Sequence, residues 1–378
     1  MTFRVDDEPF MDLPEALVDE LLSRCSIVSD SLSSSFKKVN EEGNRIRDAL
    51  GEHNLLHRDS EVSSVPVNPT TCGVDGSYAV ERLLSTDLAA TAAIAIEGLT
   101  PPSEKRYWPK PHHHCEILAV PHYESTTSIL RAIMMCMELE LAATAPHDVV
   151  MIDGSLTTPL IYINQAIGLL SEGSKELVDL LTSKMENAIE NISTIIEAKR
   201  SDKIYVALPK YTTRKELSSE ILKIGEFEDR ALLSFILGSG EYVGPIDKGA
   251  TSAPWNIERL SSGFGGFVKD YLEKIKGLQI VYYRPFEHMP TLRLEVASSI
   301  AKKPQRLSVL FEAIRIQCGA PSMFEPYPLY LADRMAKQLG KALPALRRTA
   351  TQEIADRWEE RLGSTFLAMH GYRTDWGK

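Results

Sequence analysis

Apolar positions three and four apart open the chain: Leu17, Leu21, Cys25, Val28, Leu32 and Phe36 form one helical stripe within residues 14–50, crossed by a serine-rich run at 29–35. Such a stripe predicts a packing or dimer helix. Residues 51–71 are polar, contain Pro66 and Pro69, and read as a connection into the main body. From Cys72 the pattern turns to strands, at 73–80, in a long run of small apolar residues at 88–96, and at 116–120. Helical spacing returns over 127–144 through Leu130, Ile133, Met137 and Leu141, and the apolar strand 149–152 follows.

Three adjacent strands, a helix and a further strand are the order of an RNase H-like core, its first three strands an antiparallel meander. Helix 174–199 ahead of the apolar strand 204–208 adds a parallel strand by a right-handed crossover. The predicted fold is therefore α/β, a mixed five-stranded RNase H-like sheet flanked by helices, with further helices at both ends. Beyond it lie helical patterns at 214–224 and 229–237, a glycine patch at 263–266, a strand pair at 278–283 and 291–296, and helices at 305–317, 328–339 and 349–362. Residues 1–60 read as an N-terminal helical segment for dimer or partner contact, and 61–378 as the main domain with helical insertions.

Composition narrows this picture. Of 378 residues, 43% are hydrophobic and 25% charged, as in ordinary folded proteins, and no apolar run reaches the roughly 18–20 residues of a membrane span. The first residues carry acids, so a cytoplasmic protein with no membrane contact is expected. Five scattered cysteines without a CxxC pair suggest neither disulfides nor a zinc ribbon. A net charge of −10 excludes a protein that coats nucleic acid with its whole surface, but suits a site that holds cations.

Two segments carry the chemistry. Asp75 lies in Gly73-Val74-Asp75-Gly76-Ser77, and Asp153 ends the apolar strand in Val149-Val150-Met151-Ile152-Asp153-Gly154. Alone, each Asp-Gly reads as a turn. In an RNase H-like sheet, however, the first and fourth strands are parallel neighbours, so the two carboxylates would meet and repel unless they share a cation. Phosphodiester cleavage fits such a pair, since two divalent ions about 3.5–4 Å apart can serve the attacking and leaving oxygens together. Oxygen ligands suit Mn²⁺ or Mg²⁺. The helix before the fourth strand offers Glu138 or Glu140, with Glu138 on the sheet-facing stripe, and Asp333 is a fourth candidate unless it merely pairs with Arg334 or Lys337.

The blocks VDGSY, VVMIDGSL after a helix with an internal glutamate, YVALPK, EDRALL, VYYRPF with LRLEV, and YPLYLADRMAK together resemble the NurA nucleases, over residues 73–337. The resemblance implies a manganese-dependent DNA nuclease with 5′ to 3′ exonuclease and single-strand endonuclease action, working as a homodimer on a hexameric HerA-type ATPase in end processing or antiphage defence. It implies Asp75, Glu138 and Asp153 as metal ligands. In the last block the family often has a histidine where this chain has Asp333, and Tyr327 matches its aromatic residue. Lys210 matches a family lysine that could hold the scissile phosphate.

Other features read as structure first. Arg293 and Glu295 fit an ion pair, and Asp229 with Arg230 fits a helix start. Consecutive His112, His113 and His114, followed by Cys115, point in different directions and do not make a zinc site. The glycine patch lacks the lysine of a P-loop, so energy would come from a partner. Lys337, Lys341, Arg347 and Arg348 are candidates for a DNA-facing surface, and Trp255 and Phe264 for stacking on unpaired bases. The competing readings are another RNase H-like nuclease, such as a resolvase or RNase, which would share the acids but not the partner, and a scaffold that binds DNA or its motor without cutting, against which the retained acids argue.

Overall fold

The computed structural model describes residues 13–62, 67–83, 86–103, 106–200, 202–210, 215–223, 227–248, 274–357 and 364. The glycine patch with Trp255 and Phe264 lies outside them. Among the described residues nine strands form one mixed sheet: β1 (Leu56–Arg58), β2 (Thr71–Arg82), β3 (Asp87–Glu97), β4 (His112–Val120), β5 (Val149–Asp153), β6 (Ile204–Leu208), β7 (Glu241–Asp247), β8 (Leu278–Arg284) and β9 (Leu292–Ala297). Their order is β1-β7-β8-β9-β6-β5-β2-β3-β4.

The five strands at one end, β6-β5-β2-β3-β4, carry the expected order. β2, β3 and β4 form the antiparallel meander. β5 lies parallel to β2, and β6 parallel to β5. The expected count of five is too small, because β9 adds to the free edge of β6 through Val206 opposite Val296 and Ala207 opposite Glu295, carrying β8, β7 and β1 with it. The strand pair at 278–283 and 291–296 was visible in the pattern, but what it pairs with is a long-range choice. Two strands left no such trace. β1 spans three residues inside the polar connection, and β7 contains Gly244-Pro245, a turn signal in sequence and an irregularity in the register with β8 here.

Helix α1 (Glu15–Glu41) and helix α2 (Gly43–Glu52) divide the predicted first helix. Helix α3 (Thr126–Thr144) packs on β2 and β3, beside α4 (Thr158–Ile167) and α5 (Lys175–Glu197). Ser174 caps α5 by accepting from the Leu177 N–H, which fixes where the crossover helix begins. Helix α6 (Asp229–Ile236) joins Val39, Ile46 and Leu50 of the first two helices in a smaller core over β7 and β8. Among the described residues no helix is long and apolar enough to cross a membrane. The last helix runs Gln338–Arg357, beginning before the predicted 349 and carrying Pro344 within it.

The helix Tyr327–Ala336 lies against β2 and β3, and Gly73 permits it. A Cβ at Gly73 would come within 2.5 Å of the Pro328 carbonyl carbon and 2.6 Å of the Leu329 nitrogen, both backbone atoms that no rotamer change can move. Gly73→Ala is therefore expected to lower the unfolding free energy by about 1–3 kcal/mol, the cost of overpacking, in urea denaturation. Gly51→Ala, in α2 with nothing within 4 Å of the added methyl, should instead stabilise by about 0.5–1 kcal/mol. A neutral Gly73→Ala would remove this close approach as a determinant of the fold.

Candidate metal centre

In the β2/β5 ladder Val74 stands opposite Ile152, so Asp75 and Asp153 are the next residues of two parallel strands. Each turns back to cap the following glycine, Asp75 accepting from the Gly76 N–H at 2.8 Å and Asp153 from the Gly154 N–H at 2.9 Å. Gly154 has φ +79°, which a side chain would strain, and so the strand can stop sharply after its acid. Helix Tyr327–Ala336 brings Asp333 from the face that Gly73 opens. One carboxylate oxygen each of Asp75, Asp153 and Asp333 then lie within 4.8 Å of one another, and no other group of three His, Cys, Asp or Glu among the described residues gathers so closely.

Glu138 approaches from the other face. Successive strand residues alternate in side, so Gly76 turns towards α3 where Asp75 turns away. A Cβ at Gly76 would meet Glu138 Oε1 at 2.5 Å, and the missing side chain makes room for that carboxylate beside Asp75. Glu138 is 4% exposed and Asp75 8%. Burial, then the negative charge of Asp153, pushes the Asp75 pKa up to about 8. Burial, then the charges of Asp75 and Asp153, holds Glu138 well above the usual carboxylate range. Glu140, the alternative, faces away, 3.7 Å from both His114 Nε2 and Lys184 Nζ.

Two lysines enter this acidic cluster. Lys210 Nζ stands 3.1 Å from Asp153, 2.9 Å from Glu325 and 3.6 Å from Asp333, and these acids keep it charged against the opposing effect of burial. Lys337 pairs with Asp333 at 2.8 Å. Burial would raise the Asp333 pKa, but the Lys337 hydrogen bond and the charge of Lys210 lower it. The local ion pair anticipated for Asp333 is thus real and coexists with its place in the cluster. Arg334 instead donates to the Tyr330 hydroxyl at 3.0 Å.

A buried network holds the loops around these acids. Glu295 Oε2 accepts from Ser155 Oγ at 2.6 Å, from the Leu156 N–H at 3.2 Å and from Lys248 at 2.6 Å, tying down the turn that follows Asp153. Arg293 joins Glu295 to Glu216 and donates to the Tyr282 hydroxyl at 2.7 Å. Burial alone would raise the Glu295 pKa, but Lys248 and Arg293 draw it down to about 2. Arg230 donates to the backbone carbonyls of Lys210 and, at 2.8 Å, of Thr291. Asp229 accepts from the N–H groups of Leu217 and Ser218, so this pair does more than start a helix.

Some expected residues fall elsewhere. Tyr327 is half-buried at the start of its helix, and its side chain makes no hydrogen bond to the acids. Arg347, a candidate for the DNA-facing surface, is 4% exposed and paired with Glu81 at 2.7 Å, whereas Lys341 and Arg348 are exposed. His112 and His114 share one side of strand β4, their ring centroids 6.0 Å apart, and do not converge with His113. Glu325 and Lys248 were missed, since a lone charge in a loop has no periodic signal. Beside Lys210 and Glu325 opens a cavity of about 300 Å³, lined also by Arg230, Phe324 and Tyr330.

The fold is similar to that of known structures. The crystal structure of the NurA nuclease from Sulfolobus solfataricus is similar at 12% identity, covering 92% of this chain and all of that one, with a TM-score of 0.57. The structure of NurA with manganese is similar at 14% identity, covering 86% and 97%, with a TM-score of 0.52. That of NurA bound to dAMP and manganese has 15% identity, covers 85% and 93%, and gives a TM-score of 0.50. No curated protein sequence matches. The family model of the NurA domain matches residues 69–338, most of the chain and every acid of the cluster, and the chain belongs to the NurA family.

Proposed function

We propose that this protein is a metal-dependent deoxyribonuclease that hydrolyses phosphodiester bonds with two divalent ions, Mn²⁺ or Mg²⁺. The observation that carries this reading is the convergence of Asp75, Asp153 and Asp333 from two strands and a helix onto one point. Lys210 and Lys337 stand among Asp153, Asp333 and Glu325 there, Glu138 lies buried beside Asp75, and an all-oxygen donor set from Asp75, Glu138, Asp153 and Asp333 suits a hard cation. NurA structures that this chain resembles were obtained with manganese, one of them also with dAMP.

Asp75, Glu138, Asp153 and Asp333 are the residues assigned to hold the ions. When bound, the ions would polarise the phosphate and lower the pKa of the attacking water. Asp75 and Asp153, fixed on neighbouring strands, set where the scissile phosphate comes to rest. Lys210 stands where it can neutralise charge that develops on that phosphate. The role of Tyr327 rests on the family block alone. Action on DNA in the 5′ to 3′ direction and on single strands within the chain, and work in end processing or antiphage defence, are likewise readings from the family.

The same holds for a homodimer working with a HerA-like hexameric ATPase, with residues 1–60 as the contact segment. One observation supports that segment. Leu17, Leu21 and Leu32 of α1 are 41%, 45% and 55% exposed along one stripe, an apolar face that a second helix could cover.

Purified protein with Mn²⁺ is expected to degrade labelled DNA and spare RNA of the same sequence; equal attack on both favours the RNase or resolvase reading. Asp75→Ala and Asp153→Ala should each cut the rate by about 1000-fold, several kcal/mol of lost charge stabilisation, with circular dichroism unchanged. Full activity in both would sink the assignment. A raised pKa also fixes the sign of a pH effect. Folding raises the Asp75 pKa from 3.8 to about 8, so the folded state holds a proton that the unfolded state releases, and stability falls as pH rises between these values. In a chelator, Asp75→Asn should therefore gain on the parent between pH 5 and pH 8 by at least about 1.4 kcal/mol, one pKa unit, in urea titrations. No gain would mean that the carboxylate is ionised throughout. For the dimer, light scattering should show half the mass after Leu21→Asp with Leu32→Asp, and an unchanged mass removes α1 from the interface.

A further inference from the structure

Lys210 pairs with two of the carboxylates that would gather the ions. Its ammonium lies 3.1 Å from Asp153 and 3.6 Å from Asp333, and both acids belong to the converging trio. A divalent ion on those oxygens and an ammonium at that distance repel, so one must give way to the other. Lys337 has an easy exit, because its side chain is 69% exposed and can turn into solvent. Lys210 has not. Its side chain is 26% exposed, and Arg230 pins its backbone through the Lys210 carbonyl.

A second place for the ammonium is already built. Glu325 Oε2 stands 2.9 Å from Lys210 Nζ, outside the trio, on the wall of the cavity that Lys210 also lines. Once an ion holds Asp153 and Asp333, Glu325 is, among the described residues, the acid left to pair with Lys210. We propose that Lys210 is a tethered counter-cation which the incoming metal displaces, and that Glu325 is the positioning residue that receives it. Glu325 thereby sets metal affinity without ligating the metal, and it holds the ammonium on the wall of the cavity, where a phosphate could meet it. The inference rests on the metal-nuclease reading above.

A double-mutant cycle on the full chain tests it, with Mn²⁺ as the probe, its affinity read by calorimetry and by the paramagnetic resonance of free Mn²⁺. Lys210→Met should tighten Mn²⁺ binding by about tenfold, and Glu325→Gln should weaken it by about tenfold, ordinary coupling magnitudes. In the Lys210→Met background Glu325→Gln should cost less than about threefold, the residual pull of a distant charge. Glu325→Asp should restore part of the affinity, and Glu325→Ser serves if the Gln variant does not fold. Equal weakening by Glu325→Gln in both backgrounds would make Glu325 a ligand and overturn the proposal, as would no effect in either. A parent that binds no Mn²⁺ overturns the metal reading itself, whereas binding with additive variants overturns only this inference.

Discussion

Repulsion between carboxylates is the constraint around which the centre of this molecule is arranged. The β2/β5 register sets Asp75 and Asp153 side by side, α3 adds Glu138, and helix Tyr327–Ala336 adds Asp333. Burial makes each ionised acid costly, and every neighbour of like sign makes it costlier. The pKa values of Asp75 and Glu138 rise in response, and ammonium groups stand beside Asp153 and Asp333. One carboxylate oxygen each of Asp75, Asp153 and Asp333 is left within 4.8 Å of the others. A cluster serving stability alone would be better built from apolar side chains.

Close approach from two faces of a single strand makes this geometry possible, and two glycines in the GVDG segment provide it. Gly73 lets a helix backbone lie on one face, and Gly76 admits a glutamate on the other. The acid between them receives neighbours from both directions. Replacing either glycine would move an acid-bearing element, so the segment works as a spacer as much as a source of a carboxylate.

Much of this was legible in the sequence, because the relevant signals were local or topological. Strand order alone placed Asp75 beside Asp153, whereas the apolar stripe of α3 favoured Glu138 over Glu140 and left the choice open. Other features were closed to such reading. β7 is interrupted by Gly244-Pro245, so its pattern reads as a turn although β8 completes it as a strand. The extension from five strands to nine depends on β9 choosing the edge of β6, a pairing between residues far apart in the chain. Glu325 belongs to the site only because its loop returns to Lys210, and Arg230 because its guanidinium spans from α6 to the Lys210 carbonyl.

The net charge of −10 also takes on a more particular meaning. Some of that acid lies in a second, buried network, Glu216, Glu295 and Asp229 around Arg293, Lys248 and Tyr282. Buried ion pairs contribute little net stability, since desolvation offsets most of their attraction. Their geometry is what distinguishes them here. Glu295 accepts from Ser155 and from the Leu156 N–H, directly after Asp153, and Arg293 holds Glu295 in turn. We therefore read the network as a device of position, built on the added strand β9 to fix a turn of the RNase H-like half. On that reading the four extra strands belong to the chemistry of the site as well as to its scaffold, because without β9 the turn after the second acid would lose the buried carboxylate of Glu295 that accepts from Ser155 and the Leu156 N–H.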